Sequence, residues 1–236
     1  PCNYRQRDLA AEISELIAQT HPAGIILAAP LSNMSKIVGA IESTGTPLVR
    51  LSPGKPHPDQ LTVSTNDREV GAEMTRYLAS LGHRKIAFIT GHHSHKAVAN
   101  RFAGYKDGLQ QSNLKYSERL IVAGDNSFGS GEVAAEKLLR RKVRPTAIFA
   151  ANDDMAVAVI RVANRLGIKM PGELSVAGFD DIALARLVFP NLTTIRQPLS
   201  TMAERAASML IRGDKSGVEI VPATLEIRES TGPLSA

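Results

Sequence analysis

Tryptophan is absent from this 236-residue chain, and aromatic residues make up only 4% of it. A nucleic-acid platform of stacked aromatic rings is therefore not expected. Cys2 is the one cysteine, which excludes an internal disulfide framework and fits a reducing, cytoplasmic compartment. No run approaches the ~18 unbroken apolar residues that a membrane-crossing helix needs, so no membrane partner is expected. Charge of one sign is also scarce: Lys and Arg total 28 against 23 Asp and Glu, a net +5 spread along the chain. The one dense basic run, Arg140-Arg141-Lys142 followed by Arg144, reads as a solvated helix end rather than a phosphate patch. Pro1, not Met, stands first, in what reads as the middle of a unit, which leaves open a signal peptide or a whole upstream domain.

What is present is an alternation. Leu9, Ile13, Leu16 and Ile17 share one helical face, ended by His21-Pro22. Gly24 to Ala29 reads as a buried strand, Ile37, Val38 and Ile41 as a helix, and Leu48 to Leu51 as a strand before a Pro/Gly-rich loop, Pro53 to Pro58. Asp67 can cap a helix with Val70, Met74, Tyr77, Leu78 and Leu81 inward. Strands then follow at Lys85 to Thr90, Leu120 to Ala123, Thr146 to Ala150 and Leu174 to Phe179. Between them lie helices carrying Phe102, Tyr105 and Leu109, then Glu132 to Arg140, then Met155 to Leu166. Short apolar strands alternating with helices predict an α/β fold of βαβ units around parallel sheets.

In such sheets ligands bind at the carboxyl ends of the strands. Here those ends deliver Gly91-His92-His93, Gly124-Asp125-Asn126, Asn152-Asp153-Asp154 and Asp180-Asp181. Capping of the following helices accounts for Asp153 or Asp154 and for Asp181, but not for a second polar residue on each strand. The pattern predicts a polar binding rim. His92, His93 and His95 are too tightly spaced for a closed tetrahedral metal site and have no Cys pair nearby. Gly129-Ser130-Gly131 lacks the third glycine of a dinucleotide fingerprint, and neither a nucleophile elbow nor a phosphate-binding loop is present. No cofactor or metal is implied.

Five segments carry a resemblance. They are Gly82-His83-Arg84-Lys85-Ile86-Ala87-Phe88-Ile89, Arg101-Phe102-Ala103-Gly104-Tyr105, Ala151-Asn152-Asp153-Asp154-Met155-Ala156, Leu174 to Asp181 (LSVAGFDD) and Leu192 to Pro198 (LTTIRQP). In this order and spacing the chain resembles the effector-binding core of the LacI/GalR family of transcriptional regulators over essentially its whole length. The resemblance implies two similar Rossmann-like subdomains, with parallel sheets flanked by helices, joined by three crossovers near Thr65, Gln197 and Pro222. It places residues 1–64 and 198–221 in an amino-terminal subdomain, and 65–197 with 222–236 in the other. Relative to the family, the chain lacks the first strand and helix of the former subdomain and the helix-turn-helix headpiece.

The resemblance further implies a small polar effector, of the sugar class, held between the lobes to control operator DNA binding through that headpiece. Arg101 would donate its planar fork to ligand oxygens. Asp180 would accept from neighbouring hydroxyls, and Asn152 could donate or accept. Gln197 would reach the ligand or report it. Where the family often carries a stacking aromatic, this chain has Asn126, with Phe128 two residues on. Either Phe128 stacks on the ligand or the site is unusually polar. Two headpieces imply a homodimer, with Leu187, Val188 and Phe189 as the subunit contact, beside the helix carrying Ala156, Val159 and Ile160. No catalysis is implied. The rival readings are a periplasmic sugar-binding protein and a doubly wound α/β enzyme.

Overall fold

The structure, a computed structural model, describes residues 9–92 and 94–234. Along the chain run α1 (Leu9–Thr20), β1 (Ile25–Leu27), α2 (Ser35–Glu42), β2 (Leu48–Leu51), β3 (Leu61–Ser64), α3 (Asp67–Ser80), β4 (Ile86–Thr90) and α4 (Ala97–Gln111). They continue with β5 (Ile121–Ala123), α5 (Phe128–Leu139), β6 (Ala147–Ala150), α6 (Asp153–Arg165), β7 (Ser175–Ala177), β8 (Thr194–Arg196), α7 (Leu199–Arg212), β9 (Gly217–Ile220) and β10 (Thr224–Glu226). Short 3-10 turns lie at Leu31–Asn33, Glu118–Leu120 and Ala183–Arg186.

The described residues divide into two compact units. One holds those up to Asn66, with Ser94–Ala97 and Pro198–Pro222, and the other holds the rest. In the first unit the parallel strands run in the order β1-β2-β3-β9. Leu9 and Ile17 of α1 pack with Leu27 and with Ile37, Val38 and Ile41 of α2 in one apolar cluster. A second cluster joins Met202, Ala206 and Met209 of α7 to Val49, Leu61 and Val63 of the sheet. Leu16, read from periodicity as inward-facing, is 58% exposed. The strands β3 and β9 lie outside the elements that the sequence pattern marks. LTVS mixes two hydroxyls into its four residues, and GVEI alternates at a sheet edge, so neither presents an apolar run.

In the second unit four parallel strands run in the order β5-β4-β6-β7. The antiparallel pair β8-β10 adjoins β7 through bridges at Ala177–Thr193 and Asp180–Arg196. Tyr105, Phe88, Phe149, Met155 and Phe179 are wholly buried in its core, where Phe149 meets Phe88 edge-on at 5.2 Å. Helices α3 and α4 approach so closely that a Cβ on Gly104 would stand 2.2 Å from the Arg68 carbonyl oxygen. Helix α5 starts at Phe128, a turn earlier than apolar periodicity predicts, because the Ser127 hydroxyl accepts from Ser130 N. At the amino-terminal edge of the sheet, buried His83 lies within hydrogen-bond reach of Thr146, Ser175 and the Gly232 carbonyl. Burial holds the His83 ring below the usual histidine range.

Candidate functional site

Every strand of the second unit's parallel sheet ends on the same rim, so the residues that follow β4, β5, β6 and β7 are neighbours in space. Arg101, on α4, comes to that rim from the side. It is 7% exposed. Its Nε donates to Asp67 Oδ1 at 3.0 Å and its Nη1 to the Ala151 carbonyl at 2.7 Å. Nη1 also lies 3.2 Å from Asp180 Oδ1, and Cζ sits 3.7 Å above the Phe179 ring. Burial works against this charge, but Asp180, Asp67 and Asp153 outweigh it and raise the guanidinium pKa. Nη2 donates to no described protein atom. Arg101 is thus first a rim organiser, with one amino group left over.

Asp180 follows β7 with φ of 120°, a conformation that costs strain in a non-glycine residue and points to over-determination by its surroundings. Its N–H donates to Ile195 O, and its Oδ1 accepts from Gln197 Nε2 at 2.6 Å. Oδ2 accepts no protein hydrogen bond among the described residues. Burial raises the Asp180 pKa, against the opposing pull of Arg101 and Gln197. Gln197, Asp180 and Arg101 therefore form one chain of contacts.

Asn152 has less freedom than its residue type suggests. Its Oδ1 accepts from Met155 N, making it the cap of α6, and its Nδ2 donates to the Asn126 carbonyl at 2.9 Å. One amide hydrogen remains. Asn126 itself adopts a left-handed φ of 72°, and its Oδ1 is buried without a hydrogen-bond partner. That amide lies over Gly91, where a Cβ would come within 2.0 Å of Oδ1. Phe128 is the first residue of α5 and packs partly buried against the core, with Arg161 Cζ 5.7 Å from its ring. Asp125 is exposed and folds back on its own loop, where bonds from Ser127 and Ser130 hold it at about 2.

Two carboxylates beside the rim do more than cap helices. Asp153 is 1% exposed and accepts from the Thr194 hydroxyl and from Ile182 N. Burial drives its pKa up to about 7, against those two hydrogen bonds. Asp181 faces three arginines, Arg186, Arg196 and Arg228. Burial pushes it up, but these partners prevail and hold it at about 2. Neither partnership is visible in local sequence: Arg196 and Arg228 stand 15 and 47 residues from Asp181.

Leu187 and Phe189 are 78% and 80% exposed, whereas Val188 packs against the core. Ala156, Val159 and Ile160 are wholly buried within their own unit and so are closed to a partner. No group of three or more metal-ligating side chains occurs among the described residues, and His93 lies outside them. No described helix is long and apolar enough to cross a membrane.

A strand-end rim with unfilled donors and acceptors is what a ligand-binding domain of the periplasmic binding protein-like class presents, and the model of that domain family matches residues 75–231. The chain is 35% identical over 227 residues to the HTH-type transcriptional regulator DegA of Bacillus subtilis, covering 93% of this chain and 67% of that protein. It spans about half the length of the GalR and PurR regulators that it also matches. The transcriptional regulator CelR in its cellobiose complex superposes with a TM-score of 0.88 at 29% identity, covering 96% of this chain and 71% of that one. A LacI family regulator from Enterococcus faecium with bound ribose superposes with a TM-score of 0.85 at 25% identity, covering 97% and 85%. The chain belongs to the LacI/GalR family of transcriptional regulators, of which it is the effector-binding domain. Its relatives are regulators rather than enzymes.

Proposed function

We propose that this domain senses a small polyhydroxylated effector, of the sugar class, at the rim of its second unit, and catalyses no reaction. The observation that carries this reading is the set of unused polar valences there. Asp180 Oδ2, Arg101 Nη2, Asn126 Oδ1 and one Asn152 amide hydrogen have no partner among the described residues, while the rest of each group is held in place. Donors and acceptors fixed by their own hydrogen bonds suit a ring bearing several hydroxyls, which both gives and takes hydrogen bonds. Gln197 sits where ligand contact at Asp180 is felt by the chain leaving the unit. Ribose and cellobiose in the related structures agree with the class. Phe128, partly buried against the core, is left out of this site.

In the whole protein the effector would bias the domain between two states that differ in affinity for it. A helix-turn-helix headpiece would carry that bias to operator DNA, in the cytoplasm. Leu187 and Phe189 would join two copies into the dimer that presents two headpieces.

A thermal-shift series with a panel of sugars tests the site. Asp180→Asn is the informative variant, because it leaves the Arg101–Asp67 pair intact. A ligand at a hundredfold its Kd should stabilise the parent by about 2.7 kcal/mol, and Asp180→Asn should lose most of that response. If the variant responds like the parent, the effector does not use this rim.

A further inference from the structure

Basic side chains gather at the opposite, amino-terminal edge of the second unit's sheet. Arg84 and Lys85 precede β4, Arg119 and Leu120 precede β5, and Arg141 and Val143 precede β6. With Lys115 and Ser117 they line one cavity of about 560 Å³, within the range of small-molecule sites. Five of the eight lining residues are cationic and none is acidic.

The three arginines among these cations are unusual for this protein. Most arginines of the described chain have a carboxylate within reach, including Arg140 with Glu136 and Arg144 with Glu173, which flank the cavity in sequence. Arg84, Lys85, Lys115, Arg119 and Arg141 have no ion pair among the described residues. Arg141 instead donates to the carbonyls of Lys137 and Arg119. Those bonds fix its guanidinium as a wall of the cavity and tie the end of α5 to the turn before β5. Like charges converging on a concave surface repel one another, and a low-dielectric wall sharpens the field they make. Leu120 and Val143 supply that wall.

We propose that this cavity binds a small molecule carrying two or more phosphate charges. Guanidinium forks match phosphate oxygens in pairs, and the lysines add point charges. A chloride or a single carboxylate would leave most of the five cations uncompensated. A duplex would need a basic stripe along an open face, whereas these five cations converge on one cavity. The site is separate from the strand-end rim, since the strands between them run from one edge to the other. Its occupancy is independent of the effector proposal.

Inorganic pyrophosphate is the probe, titrated calorimetrically into the 236-residue protein at constant ionic strength, with sodium sulfate as the ionic control. Saturable one-to-one binding is expected, stronger than any heat from sulfate. Arg119→Ala and Lys115→Ala should each weaken it about tenfold, the cost of one charge-assisted hydrogen bond, and Arg119→Lys should weaken it less. Arg76→Ala, which removes an exposed arginine from α3, should leave it unchanged. Unaltered melting curves confirm that each variant is folded. The proposal fails if pyrophosphate does not saturate, if Arg76→Ala weakens it as much as Arg119→Ala, or if random-sequence duplex DNA displaces it at matched charge.

Discussion

The Asp180 carboxylate and the Arg101 guanidinium meet at 3.2 Å in the second unit, and Asp67 holds the same guanidinium at 3.0 Å. The arginine therefore neutralises two acids at once, with Asp153 close enough to add to the field. Its removal strands buried negative charge. Arg101→Ala should destabilise the domain by about 3–5 kcal/mol. Asp180→Asn in that background should restore part of the loss, because one of the stranded charges is gone. Urea unfolding of the two single variants and the double variant reads the coupling directly. Strict additivity would show that the pair does not interact.

Asp153 supplies a pH dependence whose sign can be worked out. Its folded pKa is about 7, whereas an unfolded aspartate titrates near ~3.9. Between those values the folded state keeps a proton that the unfolded state has released, so this group's contribution to stability is full below about pH 4 and is lost as pH rises through about 7. Asp153→Asn cannot ionise. Its amide can donate to Thr194 while its oxygen accepts from Ile182 N. The variant should therefore gain on the parent by a few kcal/mol between about pH 4 and about pH 8. A stability difference that stays constant across that range would refute the assignment.

The α3–α4 crossing gives a paired test of packing. A Cβ at Gly104 would stand 2.2 Å from the Arg68 carbonyl and 2.9 Å from Ala72 N, both backbone atoms that cannot swing aside. Gly104→Ala should cost about 1–3 kcal/mol or more. At Gly129, in the first turn of α5, a Cβ meets nothing within 4 Å. Gly129→Ala should stabilise by roughly 0.4–1 kcal/mol by restricting the unfolded chain. Equal effects in thermal unfolding would contradict the close approach.

The proposed dimer contact is tested by charge. Phe189 is 80% exposed, so Phe189→Glu adds a carboxylate without disturbing the core. Light scattering should give a dimer for the parent and a monomer for the variant. A variant that stays dimeric would move the contact elsewhere.

Much of the second unit was legible in sequence because its strands are continuous apolar runs and its helices carry clear inner faces. The rim could be read from where those runs stop. What could not be read were roles set by partners far along the chain. Asn152 has, beside the ligand role its residue type suggests, the tasks of capping α6 and steadying the Asn126 loop, and the sequence shows only the first of those tasks. Asp153 and Asp181 look like caps, but one is a buried acid near neutrality and the other is ringed by arginines. The basic run at Arg140 is solvent-exposed, as its sequence suggests, but the convergence of its Arg141 with Arg84, Lys85, Lys115 and Arg119 depends on segments far apart in the chain. In the first unit β3 and β9 were invisible because four residues of mixed polarity have no period to detect.

The contact between Gly91 and the Asn126 amide sets a limit on how this receptor can be altered. Any side chain introduced at 91 would evict the amide oxygen from its seat 2.0 Å from where that Cβ would stand. Positions 91 and 126 are therefore coupled: a side chain at 91 calls for a smaller or displaced one at 126, so ligand preference at this corner has to be retuned at both positions together.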